Sequence, residues 1–126
     1  MLAERNRSLL TSAALVLFLL FGSTSGARTA ELVMFEQPLC EWCEVWEEEV
    51  GVVYSKTSEG KKLPIRKIDI HDTRPTDLGA IKPVIYTPTF VLIHEGSEVG
   101  RILGYPGEDH FWGLLNSLME RIPADG

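Results

Sequence analysis

The chain reads as an α/β fold, a mixed four-stranded sheet flanked by helices in the order β-α-β-α-β-β-α. Three observations predict it. An apolar, β-prone run ends at a proline and is followed at once by apolar residues of helical period. An alternating segment and then two short runs split by a turn supply three more strands. A long amphipathic segment closes the chain. A β-α-β unit followed by a hairpin and a helix implies one sheet with helices on both faces.

The first strand is "ELVMFE", Glu31 to Glu36, a short and largely buried run that Pro38 ends. A helix begins near Cys40. Trp46, Val50, Val53 and Tyr54 fall at i, i+4, i+7 and i+8, which makes one stripe. Cys43, three residues before Trp46, belongs to that stripe, and Cys40 sits at the helix N-terminus. Gly51 is a weak point, costing about 1 kcal/mol relative to Ala. "SKTSEGKK" (55–62) is a loop by composition. "LPIRKIDI" (63–70) alternates, with Ile65, Lys67 and Asp69 opposing Arg66, Ile68 and Ile70, and is the second strand. "HDTRPTDLGAIK" (71–82) is irregular, with one helical turn at Pro75 to Gly79. "PTFVLI" (88–93) and "VGRILG" (99–104) are hairpin strands around the turn "HEGSE". "GEDHFWGLLNSLMERI" (107–122) is the closing helix. Phe111, Leu114, Leu115, Leu118, Met119 and Ile122 follow its period, and Glu108 and Asp109 favour its first turn.

Residues 1–27 read as a secretory signal. Arg5 and Arg7 supply the positive end, Leu9 to Phe21 the apolar run, and Ser25 and Ala27 the small residues before cleavage after Ala27. The apolar run is shorter than the ~20 residues that span a bilayer, although an uncleaved N-terminal anchor is the alternative. Either way the remaining residues, 28–126, form one domain outside the cytoplasm, in the periplasm on the present reading. Without Glu4, Arg5 and Arg7 the chain keeps 17 acidic residues against 10 Lys and Arg, a formal charge of −7. That surface repels phosphate, and with no basic stripe nucleic-acid binding is not expected.

The chemistry centres on "PLCEWCEVWEEEV", residues 38–50, which contains both cysteines of the chain. A C-x-x-C that follows a strand and opens a helix is placed for redox work. Free N–H groups and the helix dipole favour a thiolate there, and only the thiolate attacks a disulfide. Cys40, the more exposed sulfur on this reading, attacks; Cys43, one turn in, resolves the mixed disulfide. Zinc usually takes four ligands, whereas His71, His94 and His110 are scattered, so no metal is expected. A purely structural disulfide would close a very short loop, where the entropic gain is smallest.

"YTPTF" (86–90) is a second signal. Pro88 opens a strand, where its missing N–H is tolerated, and the loop before it faces the helix that carries the cysteines. A cis Thr87–Pro88 bond would leave the Thr87 backbone free to pair with an extended peptide. Trp42, between the cysteines, is expected to be exposed, where it could line the same groove. Trp46 is expected in the core.

With "CEWC", "TPT" and the closing helix, the domain resembles a thioredoxin-like fold along nearly all its length. "GRILGYPGEDHFWGLL" (100–115), together with the signal and "PLCEWCEVWEEEV", further resembles the periplasmic SoxS-type thioredoxins encoded with bacterial sulfur-oxidation systems. The resemblance implies a thiol-disulfide reductase that keeps the carrier cysteine of a sulfur-oxidation protein free of unproductive disulfides. It also implies that Cys40 is the nucleophile, Cys43 the resolving thiol and Pro88 a cis-proline. Two departures stand out. Many thioredoxins carry a buried aspartate below the cysteines, where this chain has Met34. The usual Gly-Pro between the cysteines is here Glu41-Trp42. Glu41 and Glu44 oppose the helix dipole and raise the Cys40 thiol pKa, which goes with a more reducing disulfide.

The leading reading is therefore an exported thiol-disulfide oxidoreductase acting as a reductase, monomeric and without a cofactor. Its substrate is a periplasmic protein with a disulfide or modified thiol, and a membrane thiol donor supplies its electrons. A glutaredoxin-like enzyme is the alternative, with Asp109 and the "GYPGED" segment near a glutathione site. A redox-regulated peptide-binding module, using Thr87 and Trp42 without turnover, is the third reading.

Overall fold

The structure is a computed structural model that describes residues 30–124. The secretory signal read over residues 1–27, with its cleavage after Ala27, lies outside the described residues. Strand β1 (Glu31–Glu36) is the inner strand its apolar run demands, with Leu32, Val33, Met34 and Phe35 all buried. It pairs in parallel with β2 (Ile65–Asp69) and antiparallel with β3 (Thr89–His94), and β3 pairs antiparallel with β4 (Ser97–Leu103). The sheet is mixed and four-stranded, in the order β2-β1-β3-β4. Parallel neighbours need a long crossover, and the cysteine-bearing helix lies in it. The antiparallel pair needs only a tight turn. Glu95 and Gly96, with φ of 51° and 78°, supply the left-handed pair that matches strand twist.

Strand alternation divides the core in two. Leu32, Met34, Phe90, Leu92 and Ile102 face one side, and Val33, Phe35, Val91 and Ile93 the other. The first side is covered by α1, which starts as an α-helix (Glu41–Trp46), passes through a π-helical turn (Glu47–Gly51) and ends at Val52–Tyr54. The short α2 (Ser58–Lys62) follows, and α3 (Glu108–Met119) returns to that same side with Phe111, Leu115 and Leu118 buried. The second side is closed by the segment after β2, whose 3₁₀ turn (Thr76–Leu78) buries Leu78. Arg66 fastens that turn to the sheet, donating to Glu31 at 2.7 Å and to Asp77 at 2.8 Å. The helices thus flank the sheet unevenly, with both long ones on the cysteine side.

Aromatic rings fill the helix side. Trp46, fully buried, lies 5.2 Å from Phe90, 5.8 Å from Phe111 and 6.1 Å from Tyr54, centroid to centroid. Trp112 stacks on Tyr54 at 5.9 Å. The Tyr54 hydroxyl donates to the Leu63 carbonyl at 2.8 Å. Burial, and then Glu59, push its phenol well above the usual tyrosine range.

Three local expectations change. Val53 is exposed while Trp46, Val50 and Tyr54 are buried. The π turn is the reason: its i→i+5 bonding takes more residues per turn than the 3.6 of an α-helix, so a spacing of four stays in line and a spacing of seven does not. Residues 55–62 are not all loop, because the Thr57 side chain caps α2 by accepting from the Gly60 N–H at 3.0 Å. Leu114, counted with the apolar stripe of α3, is 46% exposed, since six apolar positions make a wider stripe than one contact face can cover.

Gly60 has a steric reason to be glycine. A Cβ there would collide with the Tyr54 backbone carbonyl, which cannot swing away as a side chain could. Gly60→Ala is expected to destabilise the domain by about 2–3 kcal/mol, as overpacking does. A urea titration reads this as a lower midpoint at unchanged slope.

Candidate active site

Cys40 and Cys43 meet where β1 hands over to α1. Leu39 makes the turn, with φ of 61° and its side chain almost wholly in solvent. Cys40 is the N-cap residue of α1, in extended conformation, and its Sγ accepts the Cys43 backbone N–H at 3.2 Å. Its carbonyl accepts from the Cys43 N–H at 3.1 Å and the Glu44 N–H at 3.2 Å. The two cysteines are joined in a disulfide, their Cα atoms 5.2 Å apart. Cys40 was expected to be the more exposed, yet the two differ by almost nothing, 8% against 7%. Exposure therefore does not separate the attacking sulfur from the resolving one. The cap bond does, because the N-terminal N–H that would stabilise a thiolate points at Cys40.

Behind the disulfide lies an open cavity of about 390 Å³, shared by both cysteines with Glu36, Gln37, Glu44, Glu47, Lys67 and Asp69. Met34, at the position noted for a buried aspartate, is fully buried in the core beneath. The polar lining comes instead from strand ends and from α1. Glu47 forms an ion pair with Lys67, whose ammonium lies 5.7 Å over the Trp46 ring. Gly51 is part of this arrangement, since a Cβ there would come within 2.6 Å of the Glu47 carboxylate. The weak point in the helix thus makes room for the ion pair beside the sulfurs. Further along α1, Tyr105 donates to Glu49 at 2.5 Å. Burial, then that carboxylate, push the Tyr105 phenol well up, so it stays a donor.

The loop that enters β3 does not line this cavity but is tied to it through Gln37. The Thr87–Pro88 peptide bond is cis and Pro88 is buried. Gln37, three residues before Cys40, donates from Nε2 to the Thr87 hydroxyl at 2.9 Å and so joins the two halves of the site. The loop is braced twice more, by the Gly104 N–H on the Pro88 carbonyl at 2.8 Å and by the Thr89 hydroxyl on the Tyr86 carbonyl at 2.7 Å. Trp42 is 56% exposed, as expected between the cysteines, and Ile85 and Tyr86 are exposed on the loop.

Further back, Arg101 on β4 holds the start of this loop through the carbonyls of Lys82 and Pro83. Glu98 grips Arg101 at 2.6 Å and 2.8 Å and accepts the Lys82 N–H. The Arg101 guanidinium, above all, holds the Glu98 carboxyl below the usual carboxylate range. A carboxylate whose folded pKa is depressed adds stability that is complete above the unfolded value of about 4.3 and vanishes as pH falls through the folded one. Glu98→Gln is therefore expected to cost about 1–2 kcal/mol at neutral pH. The gap to wild type should narrow below about pH 4 in thermal melts taken across the range.

Sequence reasoning missed Gln37, Lys67 and the exposed pair Ile85 and Tyr86. Gln37 reads as an ordinary polar residue at a strand end, and its partner is 50 positions away. Asp109, offered for a glutathione site, lines a separate shallow depression with His110, Gly113, Leu114 and Ser117 instead of the cavity of the sulfurs.

A disulfide that closes over a helix N-terminus, faced by a cis-proline loop on a mixed four-stranded sheet, is the working part of a thiol-disulfide oxidoreductase. Neither a protein-family model nor a curated protein sequence matches the chain, but solved structures do. The periplasmic thioredoxin SoxS from Paracoccus pantotrophus, in its reduced form, is 41% identical with a TM-score of 0.72, the match covering 75% of this chain and 99% of that one. The thioredoxin Mala s 13 from Malassezia sympodialis shares the fold at 19% identity and a TM-score of 0.54, over 73% of this chain and 76% of its own. The chain belongs to the thioredoxin family and is a thiol-disulfide oxidoreductase.

Proposed function

We propose that this oxidoreductase is exported and works as a reductase, opening disulfides or modified thiols on a periplasmic partner such as a sulfur-oxidation carrier protein. The observation that carries the reading is the 41% identity to a periplasmic thioredoxin along 99% of that protein's length. The apolar run before residue 28 suits export, and among the described residues no helix is long and apolar enough to cross a membrane.

The chemistry follows from the site. The Cys40 thiolate attacks the partner's disulfide, one partner sulfur leaves as a thiol, and Cys40 is bound to the other. Cys43 then attacks the Cys40 sulfur and releases the second thiol. Two electrons and two protons pass to the partner, and the Cys40–Cys43 disulfide present in the structure is the product. A membrane thiol donor reopens it by the same exchange in reverse. Direction is favoured by charge. Glu36, Glu44, Glu47 and Asp69 line the cavity of the sulfurs against the single ammonium of Lys67, and a reduced form that is less stabilised by its surroundings is the better reductant, because its disulfide is the more stable product.

Incubation in dithiothreitol and glutathione redox buffers, followed by alkylation and mass measurement, tests this. Reversible interconversion of one cysteine pair is expected. The reduced chain should reduce a protein disulfide with dithiothreitol as the donor and show no turnover with glutathione alone. Turnover on glutathione would move the assignment to a glutaredoxin-like enzyme, and no turnover with either donor to a binding module. Expression with the native N-terminus should yield a periplasmic chain beginning at Arg28; an intact N-terminus on the cytoplasmic side would overturn export.

A further inference from the structure

Gln37 was not among the residues expected to act, yet both the nitrogen and the oxygen of its side-chain amide have a partner, in two different parts of the structure. Its Nε2 donates to the Thr87 hydroxyl at 2.9 Å, and its Oε1 lies 3.1 Å from Nε2 of His71, which donates to it. His71 is itself anchored, its backbone N–H donating to Asp69 Oδ1 at 2.8 Å. A chain of contacts thus runs from the end of β2, through the residue just past β1, to the loop that enters β3. It crosses the sheet end from which Cys40 is presented, and Gln37 also lines the cavity of the two sulfurs.

The other half of the observation concerns Thr87. Its hydroxyl is committed to Gln37, but among the described residues its main-chain N–H and carbonyl have no hydrogen-bond partner. The flanking groups are satisfied, with the Tyr86 carbonyl taken by the Thr89 hydroxyl and the Pro88 carbonyl by the Gly104 N–H. The Thr87 main chain is therefore unpaired at a half-exposed residue, which is what an incoming extended peptide needs to add as a strand. Fixing that unit in advance lowers the ordering cost of binding. Its neighbours Tyr86 and Pro88 are braced through their carbonyls, and among the described residues the hydrogen bond that holds Thr87 itself is the one to Gln37.

We propose that Gln37 is a positioning residue for the polypeptide substrate. Through the Thr87 hydroxyl, with His71 as its outer support, it holds the Thr87 main chain in register for an extended, cysteine-bearing peptide. It acts on peptide binding and leaves sulfur chemistry to Cys40 and Cys43. The inference rests on the reading that Thr87 pairs with substrate, and it adds a residue, a contact and a kinetic signature to that reading.

The test uses the pre-reduced full-length chain in rapid-mixing experiments. One substrate is a short extended peptide whose single cysteine carries a nitrothiobenzoate group. The other is the free dinitro aromatic disulfide, which offers no main chain to pair. Loss of a single hydrogen bond of this kind moves an equilibrium by roughly threefold to tenfold. Gln37→Leu is expected to raise the half-saturating peptide concentration by about that factor. The limiting rate should change much less, and the loss on the peptide should exceed the loss on the small disulfide. Thr87→Val, which removes only the hydroxyl, should do the same. The double variant should be no worse than either single one, because both remove one shared contact. His71→Ala, which takes away the support and leaves the bond, should give a smaller effect of the same kind.

Equal losses on both substrates, multiplicative effects in the double variant, or a half-saturation unmoved by Gln37→Leu would each overturn the inference. All three leave the reductase reading standing. Failure of the wild-type reduced chain to open the peptide disulfide at all would remove that reading, and this inference with it.

Discussion

Cys40→Ser is expected to abolish disulfide reduction, a loss on the order of a thousandfold or more in kcat/KM, because Cys43, the other cysteine of the chain, does not hold the N-cap position. Cys43→Ser behaves differently. The first exchange is still expected, since Cys40 keeps its place as N-cap and the backbone N–H of residue 43 that its sulfur accepts. The second exchange should fail, so the partner is expected to stay attached through a mixed disulfide. Non-reducing electrophoresis and intact mass separate the two outcomes: a trapped adduct for Cys43→Ser and none for Cys40→Ser. The assignment of roles stands on the cap hydrogen bond, not on exposure, so it can fail cleanly. If Cys40→Ser traps the partner and Cys43→Ser does not, the roles are reversed. If both variants reduce disulfides at the wild-type rate, the sulfurs are not the reactive groups. The adduct has a further use, because identifying the trapped protein names the physiological partner.

The second large effect is on stability. Trp46→Ala is expected to cost about 3–5 kcal/mol, the range for removing a large aromatic from a packed core. Domains of this size hold only about 5–15 kcal/mol in total, so the thermal midpoint should drop by about 15 °C or more. Trp46 is fully buried and packs against Phe90 of β3, Phe111 of α3 and Tyr54 of its own helix. A more conservative change has a distinct signature. The indole N–H is buried without a hydrogen-bond partner among the described residues. Trp46→Phe gives up packing but also removes that unsatisfied donor, which by itself costs about 1–3 kcal/mol. It is expected to fall far closer to wild type than Trp46→Ala in a urea titration. Near-equality of the two variants would mean that the site collapses around the lost ring and that the cluster is not the rigid seat of α1.

Legibility in the sequence follows the range of the interactions involved. β1, β3 and the placing of the cysteines at the mouth of α1 were readable because each rests on local pattern: a continuous apolar run, a proline, a spacing of three. The same holds for the 3₁₀ turn, whose expected span of Pro75 to Gly79 brackets Thr76–Leu78. Reading broke down where a specific contact or an irregular turn overrides what composition or an ideal helical period suggests. Residues 58–62 look like loop by composition, yet a cap at Thr57 and the fit of Gly60 against Tyr54 wind them into a helix. The phase of α1 slips at the π turn, exposing Val53, and no periodicity computed for an α-helix anticipates that.

The candidate site divides in the same way. Cys40, Cys43, Thr87 and Pro88 carry short-range signatures, since their chemistry or backbone geometry depends on residue type and immediate neighbours. Gln37, the Glu47–Lys67 pair and the Arg101 grip on the Lys82 and Pro83 carbonyls do not. Their partners lie between 18 and 50 positions away, and only the sheet order β2-β1-β3-β4 brings them together. What the amino-acid order determined on its own is that two sulfurs stand at the mouth of a helix, because that placement is a local fact. What tertiary structure alone decided is how a substrate would be held beside them, because that depends on strand ends meeting across a sheet, and pairing between distant segments leaves no periodic mark on any one of them.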